Sequence, residues 1–335
     1  MKINTKGLNN FFSVDENLKR LENAPVLKSP IMDLIYSESK RELYQSPIVK
    51  KSDLPTAIKN VPVVVRGDSA FELPSIKTSI NGFEPFPVEL SKKILASELN
   101  DLITNQALES LQDDTTDVNA IYNNQWERMR QTVHMTTEAL CVQSLKGKIS
   151  YPIKNSSELY EVNFGSPKTV TSDIKFDDKN LNMGDIIDLC YKLIDSVSVN
   201  GYGQQVVLLT GKNIFKIIVK HLSSMNSNPL GITISDGAIN FPGFTLVRIG
   251  SSYYDYNTKQ YVSSIDDNKI CAVAVDSPFW LPYCAIDDIE ANLKAMPFFA
   301  TYQLNKNPSS VDILGKSKPF PVPVVECIAW TDDLI

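Results

Sequence analysis

Histidine is almost missing from this 335-residue chain, with only His134 and His221 present. Histidine does most of the general-base and metal-ligand work near neutral pH, so two residues leave little room for either. No Cys-x-x-Cys pair occurs. The five cysteines (Cys141, Cys190, Cys271, Cys284, Cys327) are odd in number and scattered singly. A chain of this size does not need disulfide staples, so reduced thiols in a cytoplasmic fold are expected. No apolar run approaches the roughly 20 residues that span a bilayer, and no membrane association is expected. The first residues, Met-Lys-Ile-Asn-Thr-Lys-Gly, have no apolar stretch behind their charges, so no secretory signal is expected. A cationic surplus is also lacking. Lys and Arg total 33 against 39 Asp and Glu, a net charge of -6, which excludes a dedicated nucleic-acid binder but not a protein that encloses nucleic acid without gripping it.

Catalytic signatures are absent too. Gly201-Tyr202-Gly203 and Gly211-Lys212-Asn213 fail the phosphate-loop template. Val206 stands where its first glycine belongs, Asn213 replaces the metal-binding hydroxyl, and a strand lies between the glycines. His134 and Glu138 share a helix face at i, i+4, but without further histidines they read as an exposed helix pair. No Gly-x-Ser-x-Gly elbow is found. The doublets Asp113-Asp114, Asp177-Asp178, Asp266-Asp267 and Asp332-Asp333 read as solvated turns. Arg66-Gly67-Asp68 reads as a loop tip, and the sequon Asn155-Ser156-Ser157 lacks a secretory context. Lys50-Lys51 and Lys92-Lys93 are too short for a nucleic-acid patch. No catalytic, cofactor or metal residues are assigned.

What is present is ordinary globular material, 43% hydrophobic and 21% charged. Residues 1–57 are polar and broken by Pro25, Pro30, Pro47 and Pro55. They read as an extended arm with one short helix over Ile31–Tyr44, carried by Ile31, Leu34, Ile35 and Leu43. From Asn60 to Leu90, Val61, Val63 and Val65 alternate, and Phe71, Leu73, Ile76, Ile80, Phe83, Phe86 and Val88 follow. This reads as a long open β-hairpin, which is marginal alone and should pack on something else. The clearest element is a helix over Asp117–Gly147, with Val118, Tyr122, Trp126, Met129, Val133, Thr136, Leu140 and Leu145 on one stripe. Asp117 is its expected N-cap and Gly147 its stop. Lys148–Ile153 and Leu159–Phe164 then form a hairpin. Beyond Leu181 the period alternates: helix Ile186–Val197, strand Gln205–Thr210, helix Ile214–Met225, strands Thr245–Ile249 and Ile270–Val275. Strand-like runs return at Leu293–Gln303 and Phe320–Trp330.

That order of elements resembles the lambda-like major head proteins, which have the Hong Kong 97 capsid fold. The resemblance runs from about Pro30 onward. Ser46-Pro47-Ile48-Val49-Lys50 leads through Val63–Ser69 into the Pro-rich hairpin, and Glu138–Lys148 ends the helix. Val162-Asn163-Phe164-Gly165 closes the second hairpin, Tyr254–Tyr261 leads to the strand Cys271–Val275, and Ser317-Lys318-Pro319 precedes the last strand. Met1–Lys28 has no counterpart.

The resemblance implies an α+β fold with an N-terminal arm (1–56), an E-loop (57–95), and a P-domain (96–180) with spine helix 117–147 and hairpin 148–164. An A-domain (181–290) follows, then return strands (291–335) whose last residues rejoin the A-domain. It implies a non-enzymatic major capsid protein of a tailed bacteriophage or prophage, without cofactors. Such subunits form hexamers and pentamers that close into an icosahedral head around double-stranded DNA. Expected partners are a separate scaffolding protein and a portal protein at one vertex, with a decoration protein left open, and with assembly in the host cytoplasm and residence in the virion. Phe71, Leu73, Phe83 and Phe86 are the expected inter-subunit contacts of the E-loop. Crosslinking through Lys77 is not expected, since no proton-handling carboxylate can be assigned beside it. The alternatives are an encapsulin-like nanocompartment shell and an α/β enzyme built on Leu181–Glu290.

Overall fold

The computed structural model describes residues 5–50, 82–101, 118–153, 158–173, 175–178, 181–198, 201–224 and 231–335. The chain begins with helices α1 (Thr5–Phe11), α2 (Val14–Asn23) and α3 (Pro30–Ile35). Strands β1 (Arg41–Tyr44), β2 (Val49–Lys50), β3 (Gly82–Phe83) and β4 (Val88–Leu95) lead to the spine helix α4 (Val118–Ser144). Next come β5 (Lys148–Pro152), β6 (Leu159–Asn163), β7 (Lys168–Val170), α5 (Met183–Val197), β8 (Val206–Thr210) and α6 (Lys212–Ser224). Then follow β9 (Thr233–Ser235), β10 (Ala238–Phe241), β11 (Phe244–Arg248), β12 (Ser252–Asp255), β13 (Gln260–Ser263) and β14 (Ile270–Ala274). The last strands are β15 (Leu281–Cys284), β16 (Phe299–Lys306), β17 (Ser309–Ser317) and β18 (Ile328–Thr331).

A seven-stranded mixed sheet, in the order β7-β18-β14-β8-β11-β10-β9, anchors the second half of the chain. Side chains alternate across a strand, so each central strand must feed two cores. Leu208, Ile270, Ala272, Ala274 and Ala329 face a layer made by α5 and α6. Leu209, Cys271, Val273, Ile328 and Trp330 face the opposite layer, made by α3 and the C-terminal half of α4. Strands buried on both faces carry continuous apolar runs, which is why Ile270–Ala274 shows no hydrophobic alternation. Helix α5 starts with a capping box, Asn182 accepting from the Asp185 N–H while the Asp185 carboxylate accepts from the Asn182 N–H.

The 27-residue α4 runs about 40 Å and serves two cores. Ala139, Cys141, Val142 and Leu145 pack under the large sheet. Ile121, Tyr122, Trp126, Met129 and Val133 pack instead on the three-stranded sheet β16-β17-β4. The arm expected over 1–56 is in part helical. Leu8, Phe11 and Phe12 complete the core at the N-terminal half of α4, with α2 beside β16. The segment cannot bury a core alone, but it closes one that the spine helix begins.

Three other expectations need correction. The helix expected over Ile31–Tyr44 stops at Ile35, because Ile31, Met32, Ile35 and Tyr36 fill the available core and Arg41–Tyr44 pairs in parallel with β15. The run expected from Leu293 becomes a strand only at Phe299, since Asn292 and Leu293 sit in a turn with φ near +54. Strand β17 was not foreseen, although it is the centre of its sheet. Of the long hairpin expected over 60–90, β3 pairs with β2 and β4 with β17, residues 84–87 join them without strand structure, and 60–81 lie outside the described residues.

The spine ends at Gly147, whose φ of +76 is the left-handed stop glycine provides without strain. Its carbonyl accepts from the Phe164 N–H, and an added Cβ would stand 1.9 Å from the Gly165 oxygen. The helix end and the Val162–Gly165 motif are therefore one contact. Gly147→Ala is expected to lower unfolding free energy by at least about 2 kcal/mol, more than an ordinary turn substitution, because backbone must move as well as φ. Urea denaturation measures it.

Candidate subunit-contact surfaces

Two buried polar side chains lock the N-terminal segment to the body that α4 and the two larger sheets form. Asn17 is fully buried. Its Nδ2 donates to the carbonyls of Phe12, Ser13 and Ala300, and its Oδ1 accepts from Trp126 Nε1 and the Ala300 N–H. One amide thus ties α2 to the spine and to β16, with all its capacity used.

Glu138 does the same for α3. Its two carboxylate oxygens accept from the Ile31 and Met32 N–H groups at 2.9 and 2.8 Å, satisfying donors that a helix start leaves orphaned. Burial raises the Glu138 carboxyl above the ordinary carboxylate range, with these two bonds pulling the other way. His134 lies beside it, 2.7 Å from Ser29 Oγ, and burial lowers its pKa. The exposed pair expected from their i, i+4 spacing is therefore wrong. Glu138 is buried and His134 half-buried, because the N-terminal segment covers this face of α4.

Of the expected contact residues, Phe71 and Leu73 lie outside the described residues, as do Lys77, Arg66–Asp68, Asp113-Asp114 and Asn155–Ser157. Phe83 is half-buried and stacks on the buried Phe320 of its own chain at 6.1 Å. Phe86 stacks on Tyr160 of the β5–β6 hairpin at 4.6 Å and remains 46% exposed. Thus Phe83 belongs largely to the subunit's own small core with Val49, Val162 and Val322, whereas Phe86 keeps a free face.

The remaining sequence landmarks have structural roles. Gly203 opens β8 where its N–H and that of Gln204 donate to Asp276. Gly211 is required because a Cβ there would meet the Asp266 oxygen at 2.2 Å. Lys318 of the Ser317-Lys318-Pro319 motif is buried and pairs with Asp287 at 2.9 Å, while Lys316 pairs with Asp288 at 2.8 Å. These ion pairs fix the turn that precedes β16. All five cysteines are buried and unpaired, and burial pushes the Cys190 and Cys284 thiols up to about 12. Among the described residues no cluster of three potential metal ligands forms, and no helix is long and apolar enough to cross a membrane.

A protein assigned as a prophage capsid protein, from Escherichia coli CFT073, superposes with a TM-score of 0.61 at 14% identity, over 96% of this chain and 99% of its own. A phage-related protein of Bordetella bronchiseptica RB50 gives 0.49 at 10% identity, over 96% and 97%. The architecture is Hong Kong 97-like, the fold of a virus-shell subunit. The family described as phage major capsid protein E matches residues 13–329, and the chain belongs to that family. No curated protein matches the sequence. The chain is thus a phage or prophage capsid protein, a structural component of the virion.

Two consequences concern the N-terminal attachment. Asn17→Ala strands the Trp126 and Ala300 N–H groups. It is expected to cost about 2–4 kcal/mol in urea denaturation, since each buried orphan costs about 1–3 kcal/mol. Glu138→Ala orphans the Ile31 and Met32 N–H groups at a comparable cost, about 2–4 kcal/mol. Its pH dependence has a definite sign. The folded pKa of Glu138 is raised, so the fold holds a proton more readily than the unfolded chain. The side chain's contribution is fully present below the unfolded pKa and is lost as pH rises through the folded one. The stability gap between wild type and Glu138→Ala should therefore narrow with rising pH between those two values, as denaturation at a series of pH values would record.

Proposed function

We propose that the chain assembles as hexamers and pentamers into an icosahedral head that encloses double-stranded DNA. The observation that carries this is the pairing of a stiff two-core frame with an edge strand, β4, that continues toward the segment 51–81. In this reading the E-loop expected over 57–95 lies over a neighbour up to the start of β4, and β4 itself rejoins the sheet of its own chain through β17. The spine helix and the β16-β17-β4 sheet are the P-domain, and the seven-stranded sheet with α5 and α6 is the A-domain. Phe71, Leu73 and the free face of Phe86 contact the next subunit, each contributing roughly 1.5–3 kcal/mol if fully buried there. Phe83 contributes mainly within its own chain. The net charge of -6 suits a wall that contains DNA without holding it tightly.

The subunit acts without cofactors or catalysis. It works with a separate scaffolding protein and a portal protein at one vertex, and it assembles in the host cytoplasm. Electron microscopy of the purified protein, alone and with a scaffold partner, tests the reading. Closed shells are expected, and small discrete oligomers under both conditions overturn it. Phe86→Asp is expected to leave the monomer's melting temperature within a few degrees of wild type, as partly exposed positions usually do, and to reduce shell yield severalfold. Unchanged shell yield removes Phe86 from the contact.

A further inference from the structure

Helix α6 has the sequence KNIFKIIVKHLSS, with four basic-type side chains and no acid, in a chain whose net charge is -6. Lys212, Lys216 and Lys220 recur at i, i+4 and i+8, so they line one face. Beside them Phe215 and Val219 are only half-buried. Together with Arg248 from the end of β11, Lys212, Phe215, Lys216 and Val219 enclose a groove of about 380 Å³. The Arg248 guanidinium carbon lies 5.9 Å from the Phe215 ring centroid, so the groove has an apolar floor and a cationic rim. Asp267 meets the start of α6 through the Lys212 backbone N–H, and among the described residues none of these basic side chains has an ion-pair partner.

Helix α5 lies over the same sheet face and is charged the other way. Asp188, Tyr191 and Asp195 fall at i, i+3 and i+7 and form an exposed stripe, with Tyr191 42% exposed. Tyr191 leans on the β10–β11 turn, donating to the Pro242 carbonyl, which fixes its ring. Lys192 beside the stripe is neutralised by Asp173 at 3.3 Å, and Asp185 is committed to the N-terminal cap of α5. The stripe is therefore two free carboxylates flanking an aromatic ring. That chemistry complements two or three cations around an apolar floor. Among the described residues no ion pair joins the two helices within the subunit.

We propose that the α6 groove is an interface for a second copy of this chain, filled by the Asp188–Tyr191–Asp195 stripe of that copy. The inference rests on the shell-forming reading and deepens it by assigning one contact. Tyr191 covers Phe215 and Val219, and Asp188 and Asp195 meet Lys212, Lys216 and Arg248. Tyrosine and arginine are among the side chains enriched at the energetic centre of such contacts. Charge matching across the contact would also set which surfaces meet first.

A charge swap tests it. Asp188→Lys with Asp195→Lys, and separately Lys212→Glu with Lys216→Glu, should each leave a folded monomer by circular dichroism and abolish particles by electron microscopy. All four substitutions in one chain should restore particles. If either pair alone assembles as wild type does, the contact is wrong while the shell reading stands. If both pairs block assembly and the combination stays blocked, the groove has a different occupant and the proposal falls. Wild-type protein that never forms particles overturns the shell reading, and this contact with it.

Should a reversed variant fail to fold, a cysteine pair decides. The native thiols are all buried, so in particles carrying Asp188→Cys and Lys216→Cys a disulfide-linked multimer on a non-reducing gel must come from the introduced pair. Its absence under oxidation overturns the proposal.

Discussion

The length of one helix constrains everything else in this subunit. Because α4 runs about 40 Å, no single core can cover it, and its two halves are claimed by different sheets. The C-terminal half lies under the seven-stranded sheet through Val142 and Leu145, and the N-terminal half lies on β16-β17-β4 through Trp126 and Met129. Neither sheet can shift against the other without one half of α4 losing its packing. A close-packed interior resists such shifts because even small gaps forfeit contacts. Two-core packing on one continuous helix turns two modest domains into a single stiff body, which is the mechanical requirement of a shell subunit.

That stiffness leaves the irregular segments to be attached some other way, and here buried polar side chains do the attaching. Asn17 and Glu138 each capture backbone groups of another element. Such bonds add little net stability per bond in water, but breaking one strands buried donors at about 1–3 kcal/mol each. They therefore specify position more than they add affinity. The N-terminal segment is short of apolar surface, so its placement depends on these directional contacts as much as on Phe11 and Phe12.

This division explains what could be read from the residues alone. The spine helix, the β5–β6 hairpin, helices α5 and α6 and the central strands β8, β11 and β14 of the large sheet follow from local period and stop signals such as Gly147, whereas β7, β9 and β10 do not. The capping pattern Ser13-x-x-Glu16, with Ser13 Oγ accepting from the Glu16 N–H, was a legible start for α2 that the segment's overall polarity concealed. The end of α3 at Ile35 was not legible, because it is decided by the parallel pairing of Arg41–Tyr44 with β15, some 240 residues away in sequence. Likewise Glu138 reads as a surface acid until the chain that covers it is in place. At the contact surface Phe83 and Phe86 look equivalent in sequence. Only Phe320 and Tyr160 separate the one that serves its own subunit from the one with a free face.

The edges of the large sheet offer little for assembly, which throws weight onto side chains. The outer strands of the large sheet, β7 and β9, are three residues each, too short to template a strand from another subunit. In the three-stranded sheet β4 carries Lys92 and Lys93, both exposed, and a charged edge of that kind repels unintended strand pairing. Blunted edges protect a protein made in many copies from indiscriminate aggregation, but they also remove the simplest way for copies to join. In the contact proposed above, recognition between copies draws on the basic groove on α6 and the acidic stripe on α5, and Phe86 is a further apolar side chain left partly uncovered. Patches of that kind are selective because a wrong pairing leaves charges opposed or desolvated. Among the described residues the large sheet is thus closed at its edges while charged and apolar side chains stay uncovered, and that asymmetry limits how identical copies can meet.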